Sequence, residues 1–182
     1  MDIRVIQTRI PDVLTIETDF FQDDRGFFIE SYHRRNYALR GIVDEFVQDN
    51  HSRSAKNVLR GLHYQIRQPQ GKLVRVIGGT VIDVAVDIRR SSSTFGKWVA
   101  MELSADNKRI SWVPMGFAHG FVVLSEHAEV LYKTSDYWAP EHERTIAWND
   151  PDLAIDWPVD GEPILSVKDR AGLRLRDAEV FE

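Results

Sequence analysis

The sequence predicts a mostly β domain in which short strands pack as a sandwich or barrel, with a few short helices. Turn-forming groups interrupt the chain at short intervals, among them "DDRG", "RQPQG", "RRSSSTFG" and "SADNK". The runs between these turns alternate apolar and polar residues, which is typical of strands. Helical periodicity is scarce.

The run "TVIDVAVDIR", which begins at Thr80, is the clearest strand. Because side chains alternate along a strand, one face should be apolar and the other should carry Asp83 and Asp87. "KLVRVIGG" from residue 72 and "AEVLYKTSDYW" from residue 128 also predict strands. The apolar face of the first strand would consist of Ile82, Val84, Val86 and Ile88, and the last strand would place Val130, Tyr132 and Thr134 together.

Two segments are candidates for helix. "SYHRRNYALRG" at 31–41 predicts one or two turns that end at Gly41. The tail from "NDPDLAIDWP" onward lacks periodicity, and its weak helical candidate is "VKDRAGLRLRDA". No repeat or flexible linker divides the chain, so we expect one domain over residues 1–182.

Composition and charge exclude several classes of protein. With 182 residues the chain can bury one core, and a net charge of −5 gives no reason to expect nucleic acid as a partner. The absence of cysteine excludes disulfides and a thiolate nucleophile. The N-terminus lacks the features of a signal peptide and no apolar run is long enough for a membrane span, so we expect no membrane contact and a cytoplasmic protein.

The stretch "VLRGLHYQ" places His63 inside a predicted strand, and "QGKLV" supplies Lys72 in the next one. A histidine in a strand can be packed core or a catalytic base. Arg60 and His63 have opposite parity in a regular strand and should point to opposite faces. A β-bulge at Gly61 would bring both side chains to one face.

Tyr132 can fill the core, or it can donate a proton, because a phenol stays protonated at neutral pH. His63 is then the natural base that faces it. Such a base needs an orienting carboxylate, and the sequence offers Asp83 and Asp169 without deciding between them.

Two polar segments, "FVQDNHSRS" and "EHERTIAWNDPD", are consistent with ordinary loops and equally with binding sites. Amides such as Gln48 and Asn50 suit sugar hydroxyls or a carbonyl. Arginines such as Arg25 and Arg60 suit phosphate oxygens.

The spacing Pro-x-Gly-x-x-His that ends at His119 resembles the second motif of the cupin superfamily, jelly-roll barrels that hold their site inside. Metal-binding cupins also carry His-x-His and a Glu, whereas this chain reads His63-Tyr64-Gln65. His51, His63 and His119 could form a metal triad, but the missing ligands favour a site without metal.

Eight segments in order resemble the dTDP-4-dehydrorhamnose 3,5-epimerase family, from about residue 20 to 170. The resemblance implies a double-stranded β-helix jelly roll, or cupin barrel, that needs no cofactor. It implies inversion of C3 and C5 of a dTDP-4-keto-6-deoxy sugar through an enolate, in dTDP-L-rhamnose biosynthesis. The segments are "DDRGFFIESY", "FVQDNHSRS", "VLRGLHYQ", "QGKLVRV", "DVAVDIRRSSSTFGKW", "VPMGFAHGFVVLSE", "LYKTSDYWAPEHERTIAWNDPDLAIDWP" and "ILSVKD".

By this resemblance His63 is the catalytic base, Asp169 pairs with it, Lys72 holds the C4 oxygen and Tyr132 is the acid. Trp138 stands where the family implies a tyrosine that stacks on the nucleobase. The family also suggests a homodimer with exchanged N-terminal segments. The positions implied to bind substrate are Arg25, Glu30, Gln48, Asp49, Asn50, Arg60, Lys72, His119, Trp138, Glu143 and Lys168.

Three alternatives stay open. The chain could invert C3 alone on a related dTDP-4-keto-6-deoxy sugar, because the catalytic residues do not separate these activities. It could be a metal-dependent cupin, or a catalytically silent module that binds sugar nucleotides.

Overall fold

The structure, a computed structural model, describes residues 1–182 and consists mainly of antiparallel β-sheet. Two short α-helices are present, α1 (Arg34–Ala38) and α2 (Val167–Arg170), with 3-10 turns at Pro140–His142 and Leu175–Asp177. No helix is long and apolar enough to cross a membrane. The strands are β1 Ile3–Gln7, β2 Leu14–Thr18, β3 Phe20–Asp23, β4 Gly26–Ile29, β5 Gln48–Ala55, β6 Leu59–Gln65, β7 Lys72–Gly78, β8 Thr80–Asp87, β9 Trp98–Ser104, β10 Ile110–Val113, β11 Phe117–Val123, β12 His127–Thr134 and β13 Glu143–Thr145.

Two large sheets form the jelly roll, which confirms the predicted mostly β architecture. The six-stranded sheet has the order β1-β2-β10-β7-β12-β5, and the five-stranded sheet has the order β13-β6-β11-β8-β9. Strands β3 and β4 form a separate hairpin. The central apolar cluster draws residues from both large sheets, including Val76 and Val130 from the first and Ala85 and Phe121 from the second.

Strand β8 is buried on both faces. Val84 and Val86 pack in a second cluster with Trp157 of the C-terminal tail, whereas Asp83 and Asp87 point the other way and are also fully buried. The predicted alternation is therefore present, but the carboxylate face is not a solvent face. A strand inside a layered fold can bury both faces when its polar groups find hydrogen bonds.

The predicted bulge lies at Gly61. In the pairing of β6 with β11, His63 is opposite His119 and Arg60 is opposite Phe121, so three steps along β6 match two along β11. Gly61 has φ +126°, and a Cβ there would lie 2.6 Å from the Cα of Gly120. The extra residue restores a common face for Arg60 and His63.

The helices are shorter than the candidate segments. Helix α1 ends before Gly41, which has φ +88° as expected after a helix end. Helix α2 covers only the first third of the tail candidate, because the chain then leaves the helix to form a bridge between Leu173 and Ile146.

Candidate active site

A cavity of about 330 Å³ opens between the two large sheets. Its walls come from β5, β7 and β12 of the six-stranded sheet and from β6, β11 and β13 of the five-stranded sheet. Ten of the residues that the sequence singled out line it: Gln48, Asn50, Arg60, His63, Lys72, His119, Tyr132, Trp138, Glu143 and Lys168.

His63 and Asp169 form a hydrogen-bonded pair at the wall of this cavity. The distance from His63 Nε2 to Asp169 Oδ1 is 2.5 Å. Asp169 is only 3% exposed and comes from α2 in the C-terminal tail, which packs against β6. Because Nε2 is engaged, Nδ1 is the ring nitrogen left to exchange a proton with a ligand.

Further donors hold Asp169 in place. The Ser166 hydroxyl donates to Oδ2 at 2.6 Å, and the backbone N–H of Gly61 donates to Oδ1 at 3.3 Å. Burial alone would raise the pKa of Asp169, but the hydrogen bonds from His63 and Ser166 outweigh it and lower this pKa to about 2. Asp169 is therefore ionised at neutral pH.

Burial lowers the pKa of the His63 imidazole below its ordinary value, although the hydrogen bond to Asp169 acts in the opposite direction. The ring is therefore neutral at pH 7, as a general base must be. The neighbouring carboxylate stabilises the imidazolium that forms when the ring takes a proton.

Lys72 lies almost entirely inside the protein, at 7% exposure, and its Nζ is 3.4 Å from the backbone oxygen of His63. Burial lowers the pKa of Lys72 to about 8, while the negative charges of Glu143 and Asp83 oppose this decrease. At neutral pH the Lys72 side chain is therefore still mostly protonated, so its positive charge can stabilise an oxyanion.

Tyr132 lines the cavity from the sheet that does not carry His63. Its ring packs against the central apolar cluster, and burial raises the pKa of its phenol above the ordinary value. The phenol therefore keeps its proton at neutral pH and can act as an acid.

His119 forms a second pair, with Asp83. The distance from His119 Nε2 to Asp83 Oδ1 is 2.7 Å, and the Ser111 hydroxyl donates to Asp83 Oδ2 at 2.6 Å. Of the two carboxylates that the sequence left open, Asp169 contacts His63 and Asp83 contacts His119.

Side chains with opposite charge border the cavity. Arg60 donates from Nε to the Ser54 hydroxyl at 3.0 Å, which anchors the guanidinium beside β5. Lys168 and Glu143 form an ion pair at 2.7 Å. Ionic and polar groups thus dominate this part of the wall and suit a charged, hydroxyl-rich ligand.

Trp138 is 60% exposed beside the cavity, in a loop that two glutamine side chains hold. Gln65 accepts from the Ala139 N–H at 2.8 Å and donates to the Tyr137 oxygen at 3.2 Å, so it grips the backbone on both sides of Trp138. The Trp138 N–H itself donates to Gln48 at 3.1 Å. Gln65 follows His63 by two residues, but no pattern in the sequence indicates that it holds this loop.

Three predicted binding residues lie outside the cavity of this chain. Asp49 pairs with Lys133 at 2.8 Å on the outer side of β5, because alternation that turns Gln48 and Asn50 inward turns Asp49 outward. Arg25 is in the exposed turn of the β3–β4 hairpin, and Glu30 follows that hairpin. A role of Asp49, Arg25 and Glu30 in ligand binding therefore stays a prediction, because none of the three lines the cavity of its own chain.

The three histidines that could have formed a metal triad do not converge. His51 lies on the exposed surface and pairs with Glu129 at 3.0 Å, away from the cavity. No group of three or more His, Asp or Glu side chains has a geometry that could hold a metal ion.

Comparison with known proteins gives consistent matches over nearly the whole chain. Residues 7–177 match the family model described as dTDP-4-dehydrorhamnose 3,5-epimerase. A curated protein of that name from Pseudomonas aeruginosa is 62% identical over 180 residues, covering 98% of this chain and 99% of its own.

Solved structures give the same result. The dTDP-6-deoxy-D-glucose-3,5-epimerase of Legionella pneumophila, crystallised with dTDP-4-keto-L-rhamnose, superposes with a TM-score of 0.95 at 53% identity, over 97% of this chain and 95% of that one. A 3'-monoepimerase from Streptomyces bikiniensis, in complex with dTDP-quinovose, has a TM-score of 0.87 at 30% identity, over 93% and 87% of the two chains.

Proposed function

Because the chain belongs to the dTDP-4-dehydrorhamnose 3,5-epimerase family, we propose that its cavity converts dTDP-4-dehydro-6-deoxy-D-glucose to dTDP-4-dehydro-L-rhamnose. The protein is thus an isomerase of dTDP-L-rhamnose biosynthesis that inverts C3 and C5. The observation that carries the mechanism is the location of His63 and Tyr132 on different sheets, with both side chains lining one cavity. Inversion needs a base on one side of the sugar ring and an acid on the other.

The first step is removal of a proton next to a ketone. C3 and C5 both adjoin the C4 carbonyl, so the electron pair left on either carbon is delocalised onto the C4 oxygen as an enolate. His63 takes the proton, and Asp169, at 2.5 Å, stabilises the resulting imidazolium.

The second requirement is a positive group at the C4 oxygen. Lys72 supplies it from a buried position where an ion pair with the developing enolate is worth more than in water. The final step returns a proton from the opposite face, and the Tyr132 phenol supplies that proton. Base, cation and acid are all side chains of this protein, so the chemistry requires no cofactor.

The nucleotide part of the substrate binds at the outer part of the cavity. The indole of Trp138 offers a flat surface on which thymine stacks. Arg60 provides the guanidinium for the diphosphate. The Lys168–Glu143 pair and the Gln48 and Asn50 amides offer further polar contacts.

The protein acts as a homodimer in which the β3–β4 hairpin of each chain contacts the other chain. All four phenylalanines of the hairpin are exposed in the single chain: Phe20, Phe21, Phe27 and Phe28. An apolar surface of this kind is typical of an interface. Docking on a partner would bring Arg25 and Glu30, which lie outside their own cavity, to the cavity of the partner.

The test is incubation with dTDP-4-dehydro-6-deoxy-D-glucose in deuterated water, with and without EDTA, while NMR follows the C3 and C5 protons. We expect deuterium at both carbons in both samples, and loss of exchange in His63→Ala with dTDP binding retained. Deuterium at C3 alone would identify a 3-epimerase, and dependence on metal would support a metal-dependent cupin. Binding without exchange in the wild-type protein would indicate a silent module.

Dimer exchange has a separate test. Arg25→Ala and His63→Ala proteins are each expected to be impaired, but mixing and re-equilibrating their subunits forms heterodimers. In these, one site combines an intact His63 with an intact Arg25 of the partner chain, so activity returns. If Arg25 served its own chain, mixing would restore nothing.

A further inference from the structure

Ser52 belongs to the wall of the cavity, and its buried hydroxyl group has no hydrogen-bond partner within the chain. Buried polar groups are almost always hydrogen-bonded, so an unpaired one needs an explanation. Thr18 has the second unpaired buried oxygen of the protein, but Thr18 is not part of the cavity wall. Of the two unpaired oxygens, only that of Ser52 therefore belongs to a residue that borders the cavity.

The position of Ser52 along β5 explains why no side chain pairs with it. Gln48 donates to Asn50 at 3.0 Å on one side, and Ser54 accepts from Arg60 on the other. Ser52 lies between these two pairs, and the residue opposite on β12 is the apolar Val130. The strand thus has one free hydroxyl in a row of engaged polar groups.

Arg60 shows which ligand group would meet this hydroxyl. Its Nε is bound to Ser54, whereas its terminal nitrogens make no hydrogen bond or ion pair in the chain. They are therefore free to hold an oxyanion in a forked geometry. Ser52 and Ser54 are two residues apart on the same face of β5, so an anion on Arg60 lies beside Ser52.

We propose that the Ser52 hydroxyl donates a hydrogen bond to the diphosphate of the nucleotide sugar, next to Arg60. The inference rests on the proposed function, because that function supplies the diphosphate. A hydroxyl can rotate toward a phosphate oxygen, and a hydrogen bond to an ionised acceptor is stronger than one between neutral groups.

This assignment predicts effects of opposite sign on stability and on binding. In the free protein the unpaired hydroxyl costs stability, so Ser52→Ala should leave the melting temperature unchanged or raise it. In the complex the same substitution removes a bond to a charged group, so the Kd for dTDP should rise about tenfold or more. A serine with a merely structural role would lower the melting temperature when removed.

The experiment compares wild type, Ser52→Ala and Ser93→Ala by calorimetric titration with dTDP and with thymidine. Ser93 is exposed, makes no side-chain hydrogen bond and is not part of the cavity wall, so its variant is the matched control. We expect weaker dTDP binding, unchanged thymidine binding and an undiminished melting temperature for Ser52→Ala, and no change for Ser93→Ala.

Two outcomes would overturn the role of Ser52 in diphosphate binding. One is unchanged dTDP affinity in Ser52→Ala, and the other is an equal loss of affinity for dTDP and thymidine. Failure of the proposed function is a different result, since wild type would then fail to bind dTDP or to exchange the C3 proton.

Discussion

Replacement of Asp169 by asparagine tests the central pair of the site with little change in shape. The amide oxygen can accept from His63 and from the Gly61 N–H, as the carboxylate does now. The amide nitrogen faces Ser166, whose hydroxyl can turn to accept instead of donating. The substitution therefore removes the negative charge and keeps the hydrogen-bond geometry.

The size of the effect follows from the charge pair. At about 4 Å between charge centres and an effective dielectric constant of about 20, imidazolium and carboxylate attract by about 4 kcal/mol. The neutral hydrogen bond that survives contributes about 1 kcal/mol. A loss of about 3 kcal/mol from the transition state corresponds to a decrease in kcat of about 10²-fold.

The assay is the rate of deuterium entry at C3, with dTDP affinity measured in parallel. Asp106→Asn, at an exposed position outside the cavity wall, is the control. Asp169 raises the pKa of His63, so its loss should also move the acid limb of kcat/KM to lower pH. Exchange within threefold of wild type, at unchanged dTDP affinity, would refute the role of Asp169.

Four further predictions concern Lys72, Tyr132 and Gln65, which line the cavity. Lys72 has a folded pKa of about 8 against an ordinary value of 10.5, so kcat/KM should fall as pH rises through about 8; an alkaline limb near 10 would contradict this. The buried charge of Lys72 costs stability below pH 8, and this cost disappears as pH rises to 10.5, because the unfolded chain binds more protons between these two values. Lys72→Met should therefore raise the free energy of unfolding most below pH 8, with a gain that declines up to pH 10.5, as urea titrations can measure. In Tyr132→Phe, His63 can still remove the C3 proton and return it to the same face of the sugar. NMR should therefore show deuterium in unreacted substrate, while product formation falls at least about 10²-fold. Full loss of exchange would show that Tyr132 does more than donate the proton. Gln65→Leu should release the Trp138 loop and raise both KM and the Kd for dTDP, with kcat nearly unchanged, as steady-state kinetics and dTDP titration would show. A dTDP affinity equal to that of wild type would mean that the loop keeps its position without Gln65.

Local sequence pattern was sufficient for much of the fold. The alternation in "TVIDVAVDIR" predicted which residues of β8 share a face, and the conflict in parity between Arg60 and His63 predicted the bulge at Gly61. Such features depend on neighbours in the chain. The burial of both faces of β8 depends on the C-terminal tail, which has no periodicity to reveal where it packs.

The carboxylate that pairs with His63 could not be decided by parity or spacing. Asp169 lies 106 residues further along the chain, and the folding of the tail over β6 brings it to His63. The outward orientation of Asp49 was predictable from the sequence, because strand alternation in "FVQDNHSRS" turns it away from Gln48 and Asn50. The same alternation would have added Ser52 to the candidate residues.

The two sheets of the jelly roll each hold one of the proposed proton-transfer groups, His63 on one and Tyr132 on the other. Apolar side chains such as Val76 and Ala85, which come from different sheets, pack in one cluster between them. Interiors of this density transmit a change of one methyl group to their surroundings. Residues of this apolar cluster are therefore targets for engineering the enzyme toward bulkier or smaller sugars. A change in side-chain volume there should alter the distance between the two sheets, and thus between His63 and Tyr132, without replacing any polar group of the cavity wall.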